Sequence, residues 1–192
     1  MLTMKGFTLI EVMVSVGIFT TVMVMSLGAL LAMSESNRRV ETMKSVINTL
    51  NFALDSMSRS VRTGHTYQCN PTTVPFAGNP TPTDCSVTPS TKFAFINSDG
   101  RTIAYCLGTL SPLACSSSGA SILRSEGGGD LAPITSKEVV IQTLNFYVIG
   151  APSGDNIQPK VTVLLNGYVE VSTRQRSSFN LQTSITQRIY DQ

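Results

Sequence analysis

The apolar run at residues 7–33, FTLIEVMVSVGIFTTVMVMSLGALLAM, constrains this chain more than any other feature. As a helix rising 1.5 Å per residue it spans about 40 Å, more than the ~30 Å hydrocarbon core of a bilayer. Tilt or overhang accommodates the surplus. A cleaved secretory signal has a shorter apolar core closed by small residues. This run passes directly into a second helical pattern instead, so it is expected to stay attached as a membrane helix. Its only charge is Glu11. An acid at the centre of a membrane helix costs about 2.5–3.5 kcal/mol on insertion scales. Near the start of the run the cost is lower, and a cation supplied by another chain is the sharper explanation for the residue.

Past Met33 the composition changes while the helical period persists. Val40, Met43, Ile47, Leu50, Leu54, Met57 and Val61 recur at alternating steps of three and four, one apolar stripe on a helix. Glu41 with Lys44 and Asp55 with Arg59 stand at helical-neighbour spacings on other faces. Gly64 is the expected stop. One helix of more than fifty residues follows, apolar all round at first and amphipathic later, with the stripe packed on the protein's own sheet. Gly17 and Gly28 are the places where it would loosen, each costing about 1 kcal/mol relative to Ala.

The residues at the start of the helix carry a resemblance. Lys5-Gly6-Phe7-Thr8-Leu9-Ile10-Glu11 resembles the processing site of type IV prepilins: a short basic leader ending in Gly, then Phe, then an apolar helix bearing an early Glu. The resemblance implies that a membrane-embedded prepilin peptidase cuts between Gly6 and Phe7 and methylates the new amine of Phe7. It implies that Glu11 pairs with the Phe7 ammonium of a neighbouring subunit during assembly. Such a pair is strong in lipid because each charge alone is costly there. Many major pilins carry Pro where this chain has Gly28, so unwinding is less strongly encoded here.

The rest of the chain reads as β structure. Charged residues make up only 14%, and the formal net charge is +2. That balance indicates no nucleic-acid partner. Residues 66–91 hold five of the nine Pro and are expected to be an irregular loop. A hairpin is expected from 92–96 and 101–107 around Asn97-Ser98-Asp99-Gly100, then strands at 121–124, 138–149, 160–165 and 179–187. Asn166-Gly167 either closes a tight hairpin to residues 168–172 or marks a bend in one long strand. Several short pieces, among them Thr102-Ile103-Ala104-Tyr105, Leu144-Asn145-Phe146 and Phe179-Asn180-Leu181-Gln182-Thr183, resemble the J-type minor pseudopilins of type II secretion and the W-type minor pilins.

Four cysteines, Cys69, Cys85, Cys106 and Cys115, permit three complete pairings. Their spacing is poor for zinc, and the single histidine, His65, is not placed to join them. In an exported domain disulfides are the favoured reading. Loop closure alone favours Cys69–Cys85 and Cys106–Cys115. No catalytic set or cofactor motif is visible. Gly127-Gly128-Gly129-Asp130 lacks the helix and Lys of a phosphate-binding loop. Asp99, Asp130 and Asp155 could contribute to a calcium site, but no EF-hand spacing occurs, and turn chemistry explains them better.

The expected architecture is α+β, a long N-terminal helix packed on an antiparallel β domain. Its divisions are a leader (1–6), a membrane half (7–33), an amphipathic half (34–64) and a β-rich head with disulfide-tied loops (65–192). The expected role is that of a non-enzymatic filament subunit, minor or priming, of a type IV pilus or a type II secretion pseudopilus. Its partners would be the peptidase, other pilin or pseudopilin subunits, an inner-membrane assembly platform and lipid. It would cross the inner membrane once, with the leader in the cytoplasm and the head outside. The alternatives are a major fibre-forming pilin and a membrane-anchored adhesin or ligand-binding module.

Overall fold

The computed structural model describes residues 6, 8–76, 78–172 and 175–188. A helix, α1 (Leu9–Thr63), precedes nine strands: β1 (His65–Cys69), β2 (Lys92–Ile96), β3 (Thr102–Leu110), β4 (Leu113–Cys115), β5 (Ser121–Glu126), β6 (Ala132–Pro133), β7 (Val139–Ile149), β8 (Lys160–Ser172) and β9 (Gln175–Thr186). The chain divides into two compact units, Met1–Thr42 and Met43–Gln192.

The first unit is the apolar part of α1. The helix runs through Gly17 and Gly28 without interruption. Its apolar stretch is long and apolar enough to cross a membrane, and none of it is buried by the protein. Polar side chains within it bond to their own helix. Ser15, Thr20, Thr21 and Ser26 donate to carbonyls three or four residues earlier, at 2.8–3.0 Å. Hydroxyls satisfied in this way need no water, which suits a helix in lipid.

In the second unit Val46, Leu50, Ala53, Met57 and Val61 are buried. This stripe departs from the one expected from sequence: Val40 and Ile47 are 49% and 47% exposed, and Val46 and Ala53 are buried instead. The cause is the period. Alternating steps of three and four average 3.5 residues, whereas a straight helix repeats every 3.6, so a heptad seam drifts by about 20° per heptad. Gly64 does follow the last helical residue, but it does not adopt the left-handed conformation of a helix-stop glycine. It is there for space: a Cβ would lie 2.5 Å from the Phe95 ring and 2.8 Å from the Ile96 carbonyl oxygen. The Tyr67 hydroxyl donates toward the Val61 and Gly64 carbonyls (2.6 and 3.0 Å) at the helix end, where the Gly64 amide also bonds to the Val61 carbonyl.

Two antiparallel sheets form the rest. One has the order β1-β2-β3-β5-β6, with β4 also paired to β3; the other is β7-β8-β9. Strand β1 occupies the start of the segment expected to be wholly irregular. Its signal is hidden by a bulge between His65 and Gln68 and by a positive φ at Thr66. The β2–β3 hairpin is closed by Asn97, whose Oδ1 accepts from the amides of Asp99 and Arg101, with Gly100 at φ +74°. Five rings form a cluster in which Phe93 stacks on Phe95 and Phe146, Phe95 on Tyr105, and Tyr67 packs against Phe93 and Phe95, with centroids 5.4–6.2 Å apart. Along β8 the side chains alternate, with Val161, Val163, Leu165 and Val169 turned into the core.

Asn166 and Gly167 lie inside β8, not in a turn: Asn166 pairs with Asn180 and Gly167 with Phe179. A two-residue hairpin turn would need positive φ, which Gly167 does not adopt. Its lack of a side chain serves close packing, because a Cβ there would collide with the Val140 carbonyl oxygen and come within 2.9 Å of Phe179 Cζ. Gly167→Ala is therefore expected to destabilise the head by about 1–3 kcal/mol. Denaturant unfolding of the full chain in detergent measures it, and an unchanged midpoint would show that β7 yields without cost.

Candidate processing and assembly segment

The helix begins one residue after Thr8, whose carbonyl accepts from the amides of Glu11 and Val12 (3.1 and 3.2 Å). Thr8 thus holds the N-cap position, and Glu11 stands three residues on, in the first turn. Thr-x-x-Glu is the spacing of a capping box, a signal that was legible in the sequence and that the reading by charge alone passed over. A carboxylate in the first turn faces the partial positive charge of the helix end. Glu11 is exposed, as are Gly6 and Thr8, and nothing lies within 4 Å of a Cβ built on Gly6. Among the described residues, then, none crowds the backbone at Gly6. Phe7 and Lys5 lie outside the described residues, so the distance from Glu11 to the Phe7 amine is not part of this geometry.

The other singled-out residues belong to the second unit. Cys69 is bonded to Cys85 and Cys106 to Cys115, with Cα–Cα distances of 5.9 and 5.7 Å. The first bond ties the end of β1 to the loop before β2, and the second ties β3 to β4. Asp84, beside Cys85, is spent on structure: its two carboxylate oxygens accept from the amides of Gly150 and Ala151 (3.1 and 2.8 Å). Asp155 accepts from the Ile157 amide, and Asp99 lies in the Asn97 turn. Among the described residues no group of three His, Cys, Asp or Glu side chains could hold a metal ion. His65 is exposed, with Nδ1 2.7 Å from the Thr66 hydroxyl, and no hydrogen bond to a carboxylate orients it among the described residues.

The perturbed group is Tyr105, buried on β3. Burial pushes its phenol above the usual range, while the Arg124 guanidinium and a hydrogen bond with Ser60 pull the other way. Arg124 in turn pairs with Glu126, which also binds Arg101; both contacts are 2.7 Å. The Arg101 and Glu126 side chains reach solvent (61% and 31% exposed), and the cluster serves to tie β3 to β5. A groove of about 630 Å³ runs along residues 83–91 beside the Cys69–Cys85 bond. Its one well-buried hydroxyl, Ser90, donates to Asn70 and accepts from the Lys92 amide.

Residues 1–33 match a family model described as the prokaryotic N-terminal methylation motif, the class III signal of type IV pilin-like proteins. No curated protein and no solved structure matches the chain.

Proposed function

We propose that the chain is a structural, minor or priming subunit of a type IV pilin-like filament, processed between Gly6 and Phe7 and methylated on Phe7. The observation that carries the reading is the methylation motif at residues 1–33 on the front of an unbroken apolar helix. The motif and the helix together fit membrane anchoring with the head outside the cytoplasm. The motif is that of structural subunits, and the head adds no converged catalytic groups among the described residues. Two features favour a minor over a major subunit: Gly28 in place of the proline of many major pilins, and the short pieces resembling J-type pseudopilins and W-type pilins.

Mass spectrometry of membrane and sheared-filament fractions tests both parts. The expected mature chain has 186 residues, six fewer than the full 192, and starts with methylated Phe7. An intact Met1 in cells with active peptidase would refute processing. Peptide counting in the filament fraction should find this chain far below the most abundant subunit; dominance there would make it the major one.

A further inference from the structure

Between Cys85 and Ser90 the chain arches out of the head and returns to it. Cys85 is held by its disulfide and by its amide on the Val148 carbonyl. Ser90 is held by exchanged backbone bonds with Phe146 and by its hydroxyl on Asn70. Ser86, Val87 and Thr88 stand between these anchors, all exposed, Val87 by 89%. The arch is thus fixed at both feet and holds an apolar side chain in water between two hydroxyls.

Hydroxyls around the arch are engaged: Thr83 donates to the Thr81 carbonyl, and Ser90 to Asn70. Among the described residues nothing engages the hydroxyl of Ser86 or Thr88. Both residues line the groove beside the Cys69–Cys85 bond. Asn70, Thr83 and Thr91 give that groove neutral hydrogen-bonding groups, and Asp84 is its only charged lining residue. Both Asp84 oxygens already accept backbone amides. Such a lining suits a neutral polyol better than an ion. A phosphoryl group would bring about −1.5 to −2 charge beside Asp84, with no Arg or Lys in the lining to pair with it.

Thr88 combines exposure, a place on the groove and a following proline, Pro89. Proline disfavours helical backbone at the residue before it and holds that residue extended, a form in which an enzyme can reach the hydroxyl. Thr81 and Ser111 also precede proline but do not line the groove, and Ser86 lines it without preceding proline. Residues 70–91 are dense in Ser, Thr and Pro, the composition of O-glycosylated segments.

We propose that Thr88 is an O-glycosylation acceptor, beside a groove whose neutral lining accommodates the first sugar. The donor is a sugar whose anomeric carbon is bonded to a phosphate oxygen. Thr88 Oγ1 bonds to that carbon, the carbon–oxygen bond to phosphate breaks with its electron pair leaving on the phosphate, and the hydroxyl proton passes to a base of the transferase. The acceptor does not rest on the filament reading.

The test is mass spectrometry of the full chain, purified in detergent from the cells that produce it, with fragmentation that preserves the glycosidic bond. The expected chain is heavier by whole monosaccharide residues located on Thr88. Thr88→Val should remove the increment and Ser86→Ala should keep it, with both disulfides intact in each. No sugar increment, sugar on another residue only, a phosphoryl increment instead, or an increment that survives Thr88→Val would overturn the proposal. The N-terminal mass of the same sample reports processing separately. A chain cut after Gly6 but bare at Thr88 sinks the acceptor alone, and a glycosylated but uncut chain sinks only the subunit reading.

Discussion

Gly6→Phe leaves the chain uncut, membrane-bound and at its full 192 residues. The expected effect is a near-complete loss of the mature form. Gly6 is exposed, and among the described residues nothing stands where its side chain would be, so none of them requires glycine there. Under the proposed function, the requirement comes from a peptidase site that closes around the junction and accepts bare backbone. Gly6→Ala, with a single methyl group, should be cut at an intermediate rate. Immunoblots of membranes after a pulse of expression, with the mass of each band, measure both. Normal cutting of Gly6→Phe would place the processing determinant elsewhere. The folded head provides a control, since neither variant should change its two disulfides.

Glu11→Val is expected to abolish assembly while leaving synthesis, insertion and cleavage intact. Removing the acid should ease insertion, because the cost of placing it near lipid disappears. The loss must then appear where a neighbour's Phe7 ammonium would have been met. Cysteines placed near Phe7 on one copy and near Glu11 on another report that contact in the membrane. Glu11→Gln, which keeps the shape and loses the charge, should behave like Glu11→Val. The capping position of Glu11 supplies a rival explanation and a way to exclude it. Thr8→Val removes the cap hydroxyl, worth about 1 kcal/mol, and leaves the carboxylate in place. If capping were the role, Thr8→Val would reproduce the assembly defect. If the intersubunit pair is the role, Thr8→Val assembles and Glu11→Gln does not. Wild-type assembly of Glu11→Val, with crosslinks unchanged, would reduce Glu11 to a recognition element or a tolerated charge.

The parts legible in the sequence were those governed by local rules. The apolar run needs only length and composition, and the β2–β3 turn needs only Asn97 and Gly100. What escaped depended on partners distant in sequence. Strand β1 is recognisable once Cys69 is seen beside Phe93, and β4 and β6 are too short to carry a period. The choice of Val46 and Ala53 over Val40 and Ile47 required the true helical repeat. Gly64 and Gly167 read as a stop signal and a turn or bend, because the carbonyls that exclude a Cβ come from other strands. That β9 is the last strand of its sheet among the described residues could not be read at all, since an edge is defined only when every pairing is known. In the N-terminal segment the residues were legible, but the Thr8–Glu11 relation was missed because attention fell on the charge and not on its place in the first turn.

The end of α1 also has a mechanical consequence. A filament subunit pulled along its helix must pass the load to its sheets. The Tyr67 hydroxyl grips the last helical turn at the Val61 and Gly64 carbonyls. Two residues later Cys69 is covalently joined to Cys85, whose amide is bonded to Val148 on β7. Tension leaving the helix therefore reaches the second sheet by a path with a covalent bond in it, bypassing the 69 residues of chain between β1 and β7. The Cys69–Cys85 bond is a tie-rod: reducing it should cost the resting head about 2–4 kcal/mol and let the first sheet peel from the second under load.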